Sequence, residues 1–235
     1  ASAPERVNPG DPDWDQKNTP RLVGGIDEES QKRALAFYNS ICDSVVATST
    51  PEIAEAAKIL ENTFRLVNIA MINEFTQLCS AQGINVHEVI NAAATKPYGF
   101  MPFRPGVGIG GHCIPVDPLY LTWWARKGGQ KASLVERSDE IANQMPVYVA
   151  ERALAISKGP KGAPKVLIMG VAYKPGVGDV RETPASALRA ALVARGAEVA
   201  WVDPLVPLWE GTKPVTEDWD CDVAIVATNQ PGLDV

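Results

Sequence analysis

The sequence predicts an α/β protein in three sections, and three observations carry that prediction. Residues 22–48 show a strand–helix–strand rhythm. A long apolar stripe, stepping by three or four residues, runs from Ile53 to Leu78. Residues 165–227 alternate short β-branched runs with one helical segment and glycine- or proline-rich turns. Period-two and period-3.6 patterns separated by turn residues are the signature of parallel-sheet units joined by helices. The first section reads as the tail of a parallel-sheet domain, the second as all-helical, and the third as a small unit of Rossmann type.

Taken in order, residues 1–20 are polar and proline-rich and read as loop. Leu22–Gly25 is a short strand end. Asp27 to Cys42 has helical spacing (Leu35, Ala36, Ile41) with Glu28 and Glu29 in its first turn, and 43–48 is a β-branched strand. Thr50-Pro51 starts a helix with a capping residue and a proline at the first helical position. That helix continues to about Gln82 and stops at Gly83. Its stripe of Ile53, Ala57, Leu60, Phe64, Val67, Met71, Phe75 and Leu78 is long enough to span a domain or an oligomer interface. Val86 to Lys96 is a further helix, and Tyr98 to Pro115 a loop with glycines at 106, 108, 110 and 111. Asp117–Lys127 and Ser133–Lys158 are helices, the latter kinked at Pro146. A linker over 159–164 leads to a strand at 165–171, a helix at 184–195, and strands at 198–203 and 222–227.

Of 235 residues, 46% are hydrophobic and 21% charged, enough apolar material for a sizeable core, which argues against disorder. The formal net charge is −6 and no basic block occurs, so neither nucleic acid nor an anionic membrane is the expected partner. No stretch has the length of a transmembrane helix. Cys42, Cys79, Cys113 and Cys221 are far apart with no paired spacing, which argues against zinc and fits a reducing cytoplasm. Cys42, Cys79 and Cys221 read as small buried hydrophobes. The chain opens Ala1-Ser2-Ala3 without Met and stops soon after the strand and turn ending at Gly232, and both ends read as internal points of a longer protein.

Chemistry concentrates in three places. In Gly108-Ile-Gly-Gly-His-Cys-Ile-Pro-Val-Asp117, glycines let backbone approach a ligand, Cys113 ends the loop, and Asp117 reads as the cap of the next helix. On spacing alone a nucleophilic Cys113 and an inert turn cysteine both stand. His112 and His87 read as satisfied structural histidines. On the long helix, Lys58 and Asn62 share a face, with Arg65 nearby; by periodicity this is a solvated face or one wall of a site. Gly170 to Pro184 leaves a strand and enters a helix, where α/β sheets bind phosphates through backbone amides, with Lys174 and Arg181 adding positive charge. The dinucleotide-binding turn GxGxxG occurs nowhere in the chain.

In chain order, Pro4-Glu-Arg-Val-Asn-Pro-Gly10, Glu61-Asn-Thr-Phe-Arg65, Gly110-Gly-His-Cys-Ile-Pro-Val-Asp-Pro118 and Tyr173-Lys-Pro with Asp179-Val-Arg-Glu-Thr-Pro184 together resemble the UDP-glucose/GDP-mannose dehydrogenase family. The resemblance implies an NAD-dependent oxidation of a UDP-sugar C6 alcohol to the acid through a cysteine thioester. It implies a division into the tail of an NAD-binding Rossmann domain (1–49), a central helical dimerisation domain (50–158) and an incomplete Rossmann-like UDP-binding domain (164–235). It further implies a homodimer and a chain inactive without the NAD domain.

Residue by residue, Cys113 resembles the family nucleophile, Lys58 its oxyanion-stabilising lysine, and Asn62 and Asp117 the groups that position water and move protons. Glu5 resembles the glutamate tied to thioester hydrolysis. Tyr173, Lys174, Arg104, Gly110 and Gly111 resemble the nucleotide-sugar contacts, and Arg181 an arginine near the cofactor phosphates. Gly111-His-Cys-Ile-Pro115 is more similar to the branch oxidising UDP-N-acetylglucosamine or UDP-N-acetylmannosamine than to the Gly-Ser-Cys-Phe of UDP-glucose enzymes. The chain also departs from the family in carrying Gly178-Asp179 where an acidic pair is frequent, and Pro9 where UDP-glucose enzymes have a second glutamate. The competing readings are a UDP-glucose 6-dehydrogenase, a β-hydroxyacid dehydrogenase needing no thioester, a non-catalytic UDP-sugar-binding or dimerisation fragment, and, last, a Cys-His hydrolase.

Overall fold

Where β-branched residues run together the chain is extended, and where apolar residues recur at helical spacing it coils. The structure, a computed structural model, describes residues 1–8, 10–157 and 163–235. Pro9 and most of the 159–164 linker therefore lie outside the described residues. The chain divides into two compact units, residues 1–64 and 65–235.

In the first unit, β1 (Arg21–Gly24) and β2 (Val45–Thr48) pair in parallel with Leu22 opposite Val46. Helix α1 (Glu28–Asn39) connects them, and the Asp27 side chain caps it by accepting from the Ser30 N–H. An antiparallel bridge ties Ser2 to Gly24. Helix α2 (Pro51–Ala81) follows, its first part in this unit and the rest in the second, and Gly83 beyond it takes a positive φ.

In the second unit come α3 (Val86–Ala93), α4 (Cys113–Lys127) and α5 (Ser133–Ile156). They are followed by β3 (Lys165–Met169), α6 (Pro184–Ala194), β4 (Glu198–Val202) and β5 (Val223–Val226). The strands form a parallel sheet in the order β4-β3-β5. Chain order reverses at β3, and in such sheets the crevice for ligands opens at the carboxyl ends of the strands on either side of that reversal. Helices α5 and α6 pack together, and the main core joins Ala150 and Ala153 of α5 to Leu188 and Leu192 of α6 and to Val166 and Ile168 of β3. Trp201 and Trp209 meet edge to face in the same core.

The stripe of α2, expected to span a domain or an oligomer interface, is largely turned outward within this chain. Ile53, Leu60, Phe64, Met71, Phe75 and Leu78 are exposed, whereas Ala54, Thr63, Leu66, Ala70, Ile72 and Asn73 are buried. No helix among the described residues is long and apolar enough to cross a membrane.

Candidate active site

The glycine loop and the start of α4 set the position of Cys113. Helix α4 begins at Cys113 itself, four residues earlier than the sequence reading had it, because Pro115 falls in the first turn, where its missing N–H costs nothing. Asp117 is therefore not the cap: it sits one turn inside the helix, at i+4 from Cys113 and on the same face. His112 occupies the cap position without a side-chain cap bond, and Cys113, the first residue of the helix, is exposed. His112 and His87 are both on the surface, which overturns their reading as structural histidines. Cys42 and Cys79 are buried as expected, and Cys221 is half-buried.

The same loop lies against the segment that follows β3. A Cβ on Gly111, whose φ is +82°, would stand 3.0 Å from the Tyr173 ring, and one on Gly110 would stand 2.9 Å from the Tyr173 Cβ and 2.8 Å from the Glu182 carbonyl. Only glycine permits this approach. Burial, helped by the Asp179 carboxylate and with a smaller contribution from Cys113, pushes the Tyr173 phenol above its ordinary value. Cys113, Tyr173, Asp179, Gly110 and Gly111 thus form one neighbourhood. Arg181 joins it through Asp179: its Nε and Nη2 donate to the carboxylate, the Nη2–Oδ2 distance being 2.6 Å. These hydrogen bonds hold the Asp179 carboxyl below the usual carboxylate range. Lys174 is half-buried in the same segment. Arg104, at the far end of the glycine loop, is exposed and donates to Asn91 Oδ1 at 2.6 Å.

Several amides of the 170–184 segment, expected to face an anion, are instead bound within the chain. The N–H groups of Val171 and Ala172 donate to the Asp203 carboxylate, that of Tyr173 to the Asp179 carbonyl, and that of Gly176 to Gln230. The Arg181 and Ala185 N–H groups are held by the Asp179 and Thr183 side chains. A buried carboxylate at the end of β4 has drawn the amides of Val171 and Ala172 inward, so on this segment the positive charge of Lys174 is the group suited to a diphosphate. Gly178, where an acidic residue is frequent in the family the sequence resembles, also has a local cause: a Cβ there would lie 2.3 Å from the Leu205 carbonyl oxygen.

In the first unit, Glu5 accepts from Gln16 Nε2 at 2.6 Å and from the Val7 N–H, with Arg21 at 3.5 Å. Partial burial opposes ionisation of Glu5, but these hydrogen bonds and the Arg21 charge outweigh it and lower its pKa. Next to it, Arg6 forms an ion pair with Glu61 at 2.7 Å. This joins the segment carrying Glu5 to the turn of α2 carrying Asn62. Lys58 and Asn62 are half-buried on that helix, and Arg65, in the second unit, is exposed.

Two positions escaped the sequence reading. Asn73, fully buried on α2, accepts the Gly106 N–H and so anchors the glycine loop; a polar residue inside an otherwise helical pattern was its only signal. Gln230 holds the lysine segment and is treated below. As for a dinucleotide, the cleft at the ends of β1 and β2 is lined by Gly25, Asp27, Glu28 and Thr48 with no cationic side chain among its lining residues, which does not suit a pyrophosphate.

Residues 52–144 match the central domain of the UDP-glucose/GDP-mannose dehydrogenase family, and residues 167–234 match its UDP binding domain. The chain is 37% identical over 203 residues to the UDP-N-acetyl-D-mannosamine dehydrogenase of Methanocaldococcus jannaschii, an alignment covering 86% of this chain and 46% of that protein. It is 34% identical to the UDP-N-acetyl-D-glucosamine 6-dehydrogenase of Pseudomonas aeruginosa, covering 87% and 49%. The solved structure of the Pyrococcus horikoshii UDP-D-ManNAc dehydrogenase superposes with a TM-score of 0.85 at 33% identity, covering 97% of this chain and 54% of that one. The chain thus spans about half the length of the curated relatives it matches.

Proposed function

Because the chain belongs to the UDP-glucose/GDP-mannose dehydrogenase family, we propose that it is the substrate-handling part of a UDP-N-acetylhexosamine 6-dehydrogenase, one that makes the uronic acid through a thioester on Cys113. Its parts are the tail of a dinucleotide-binding domain (1–49), a central helical domain (50–158) and a UDP-binding domain (164–235). The observation that carries the reading is the packing of Gly110 and Gly111 on Tyr173, which puts an exposed cysteine beside the segment bearing Lys174. The reading calls for NAD, which would supply the hydride acceptor for the oxidations at C6. The described residues do not form a pyrophosphate cradle, so the steps below concern this chain's own groups.

Lys174 attracts the UDP diphosphate, and Tyr173 closes the pocket over the sugar. Once C6 is an aldehyde, Cys113 Sγ attacks it, and the aldehyde oxygen takes a proton to give a thiohemiacetal. That adduct is the species whose oxidation would leave the thioester. Lys58 supplies fixed positive charge where oxyanions develop, and Asn62 orients water. Asp117, one turn along α4 from Cys113, relays protons. Glu5, kept ionised by its hydrogen bonds, draws a proton from the water that releases the acid and restores the thiol. A free catalytic thiol suits a reducing, cytoplasmic setting.

The test is NADH formation by the whole protein with UDP-N-acetylmannosamine, UDP-N-acetylglucosamine and UDP-glucose, repeated with Cys113→Ser. An N-acetylated sugar should be oxidised to the acid, and the serine variant should form acid slower by on the order of a thousandfold, since a serine hydroxyl is far less nucleophilic than a thiolate. Acid formation by Cys113→Ser at an unchanged rate would contradict the thioester route. Preference for UDP-glucose would contradict the sugar assignment.

A further inference from the structure

The segment that carries Lys174 is suspended from a buried polar pair at the carboxyl ends of β4 and β5. Gln230 is 2% exposed and Asp203 is 3% exposed. The Gln230 carboxamide accepts the Gly176 N–H at 2.8 Å and donates to the Val177 carbonyl at 2.9 Å; longer contacts of 3.4 Å reach the Lys174 carbonyl and Asp203 Oδ2. Asp203 Oδ2 in turn accepts the Val171 and Ala172 N–H groups at 2.8 and 3.1 Å, while Oδ1 accepts that of Leu205 at 2.9 Å. The Thr228 hydroxyl donates to the Ala172 carbonyl at 2.7 Å. Both sides of the Lys174-Pro-Gly-Val177 turn are therefore gripped by one side chain, which is itself braced against the carboxylate that fixes the preceding residues.

We infer that Gln230 is a positioning residue for nucleotide-diphosphate binding, acting through the backbone of the Lys174 turn. A carboxamide alone among side chains offers a donor and an acceptor in one plane, so it pairs with the turn as another strand's peptide group would. Glutamate would keep the acceptor but lose all three donated contacts and face the Asp203 carboxylate, while methionine fills the volume but leaves the turn's N–H and C=O groups unpaired. The amides of Val171, Ala172 and Gly176 are committed to protein acceptors, so the diphosphate depends on where Lys174 stands, and Gln230 sets that. The inference rests on the UDP-sugar reading proposed above.

Two measurements on this chain separate the inference from that reading. Hydrogen exchange without ligand should show the Gly176 amide exchanging at least about tenfold faster in Gln230→Met, with Ile168 in β3 unchanged. Acceleration everywhere, or none at Gly176, would overturn the positioning role. Calorimetric titration with UDP should show affinity about tenfold weaker in Gln230→Met and in Lys174→Met, and a double variant within about twofold of Lys174→Met alone, since residues acting as one unit are not additive. Equal losses by Gln230→Met in both backgrounds would overturn action through Lys174. Absence of UDP binding by the unsubstituted chain, with local exchange at Gly176 as expected, would sink the UDP reading and leave Gln230 as the brace of the turn. Should Gln230→Met not fold, Gln230→Glu takes its place with the same expected losses, and unchanged affinity in it overturns the inference.

Discussion

Gly178 shows how a single residue is set by a neighbour distant in sequence. A methyl group there would meet the Leu205 carbonyl oxygen at 2.3 Å, and backbone, unlike a side-chain end, cannot swing away. Gly178→Ala should therefore destabilise the protein by roughly 1–3 kcal/mol, read as a lower urea midpoint, even though the position is at the surface. An unchanged midpoint would mean that the loop after β4 yields easily. Glu5 belongs to the same scale. Its carboxyl lies below the ordinary value of 4.5, so its contribution to stability is present above that pH and is lost as pH falls through the lower folded value. Glu5→Gln should be less stable than the native chain at neutral pH, with the difference closing in acid, as urea midpoints at the two pH values would reveal; a constant difference would contradict the assigned partners. From sequence, the resemblance marked Cys113, Tyr173 and Lys174, yet it marked neither Gln230 nor Asn73. Their significance lies in partners 54 and 33 residues away, a separation that no periodicity records.

Helix α2 is the element whose pattern and packing differ most. Its existence and its ends follow from Thr50-Pro51 and Gly83, and the structure places them at Pro51 and Ala81. Which face packs inward is not legible from the apolar stripe, because the buried side mixes Ala54 and Ala70 with Leu66, Ile72 and the polar Thr63 and Asn73. Leu60, Phe64, Met71, Phe75 and Leu78 remain exposed along one helix, a run of apolar surface of the kind that marks a protein–protein interface. We propose a homodimer through this face. Phe75→Glu should shift the species seen by light scattering at micromolar concentration from dimer to monomer, with helical circular dichroism unchanged, because Phe75 contributes little to the monomer core. A native chain that is monomeric at those concentrations would contradict the proposal. The start of α4 carries a similar lesson: reading Asp117 as a cap ignored that Pro115 is well tolerated in a first turn, and moving the helix start to Cys113 brings Asp117 onto the cysteine's face.

At the scale of the whole chain, we propose that the glycine loop of the helical section and the Lys174 turn of the C-terminal sheet make one nucleotide-sugar site with Cys113 in it. Tyr173, flanked by Gly111 and Lys174, is the physical link. The chain should accordingly bind a UDP-sugar and bind NAD hardly at all, since its sequence lacks the dinucleotide turn and Arg181 is committed to Asp179. The most direct measurement is the rate at which Cys113 is alkylated by iodoacetamide. Cys113 is the exposed cysteine, with Cys42 and Cys79 buried and Cys221 half-buried, so peptide mass spectrometry can follow it alone. UDP-N-acetylmannosamine or UDP-N-acetylglucosamine, at a concentration calorimetry shows to be saturating, should slow that reaction severalfold, UDP should slow it less, and NAD should leave it unchanged. An alkylation rate at Cys113 that saturating UDP-sugar does not alter would show that the nucleotide sugar and the cysteine do not share a site.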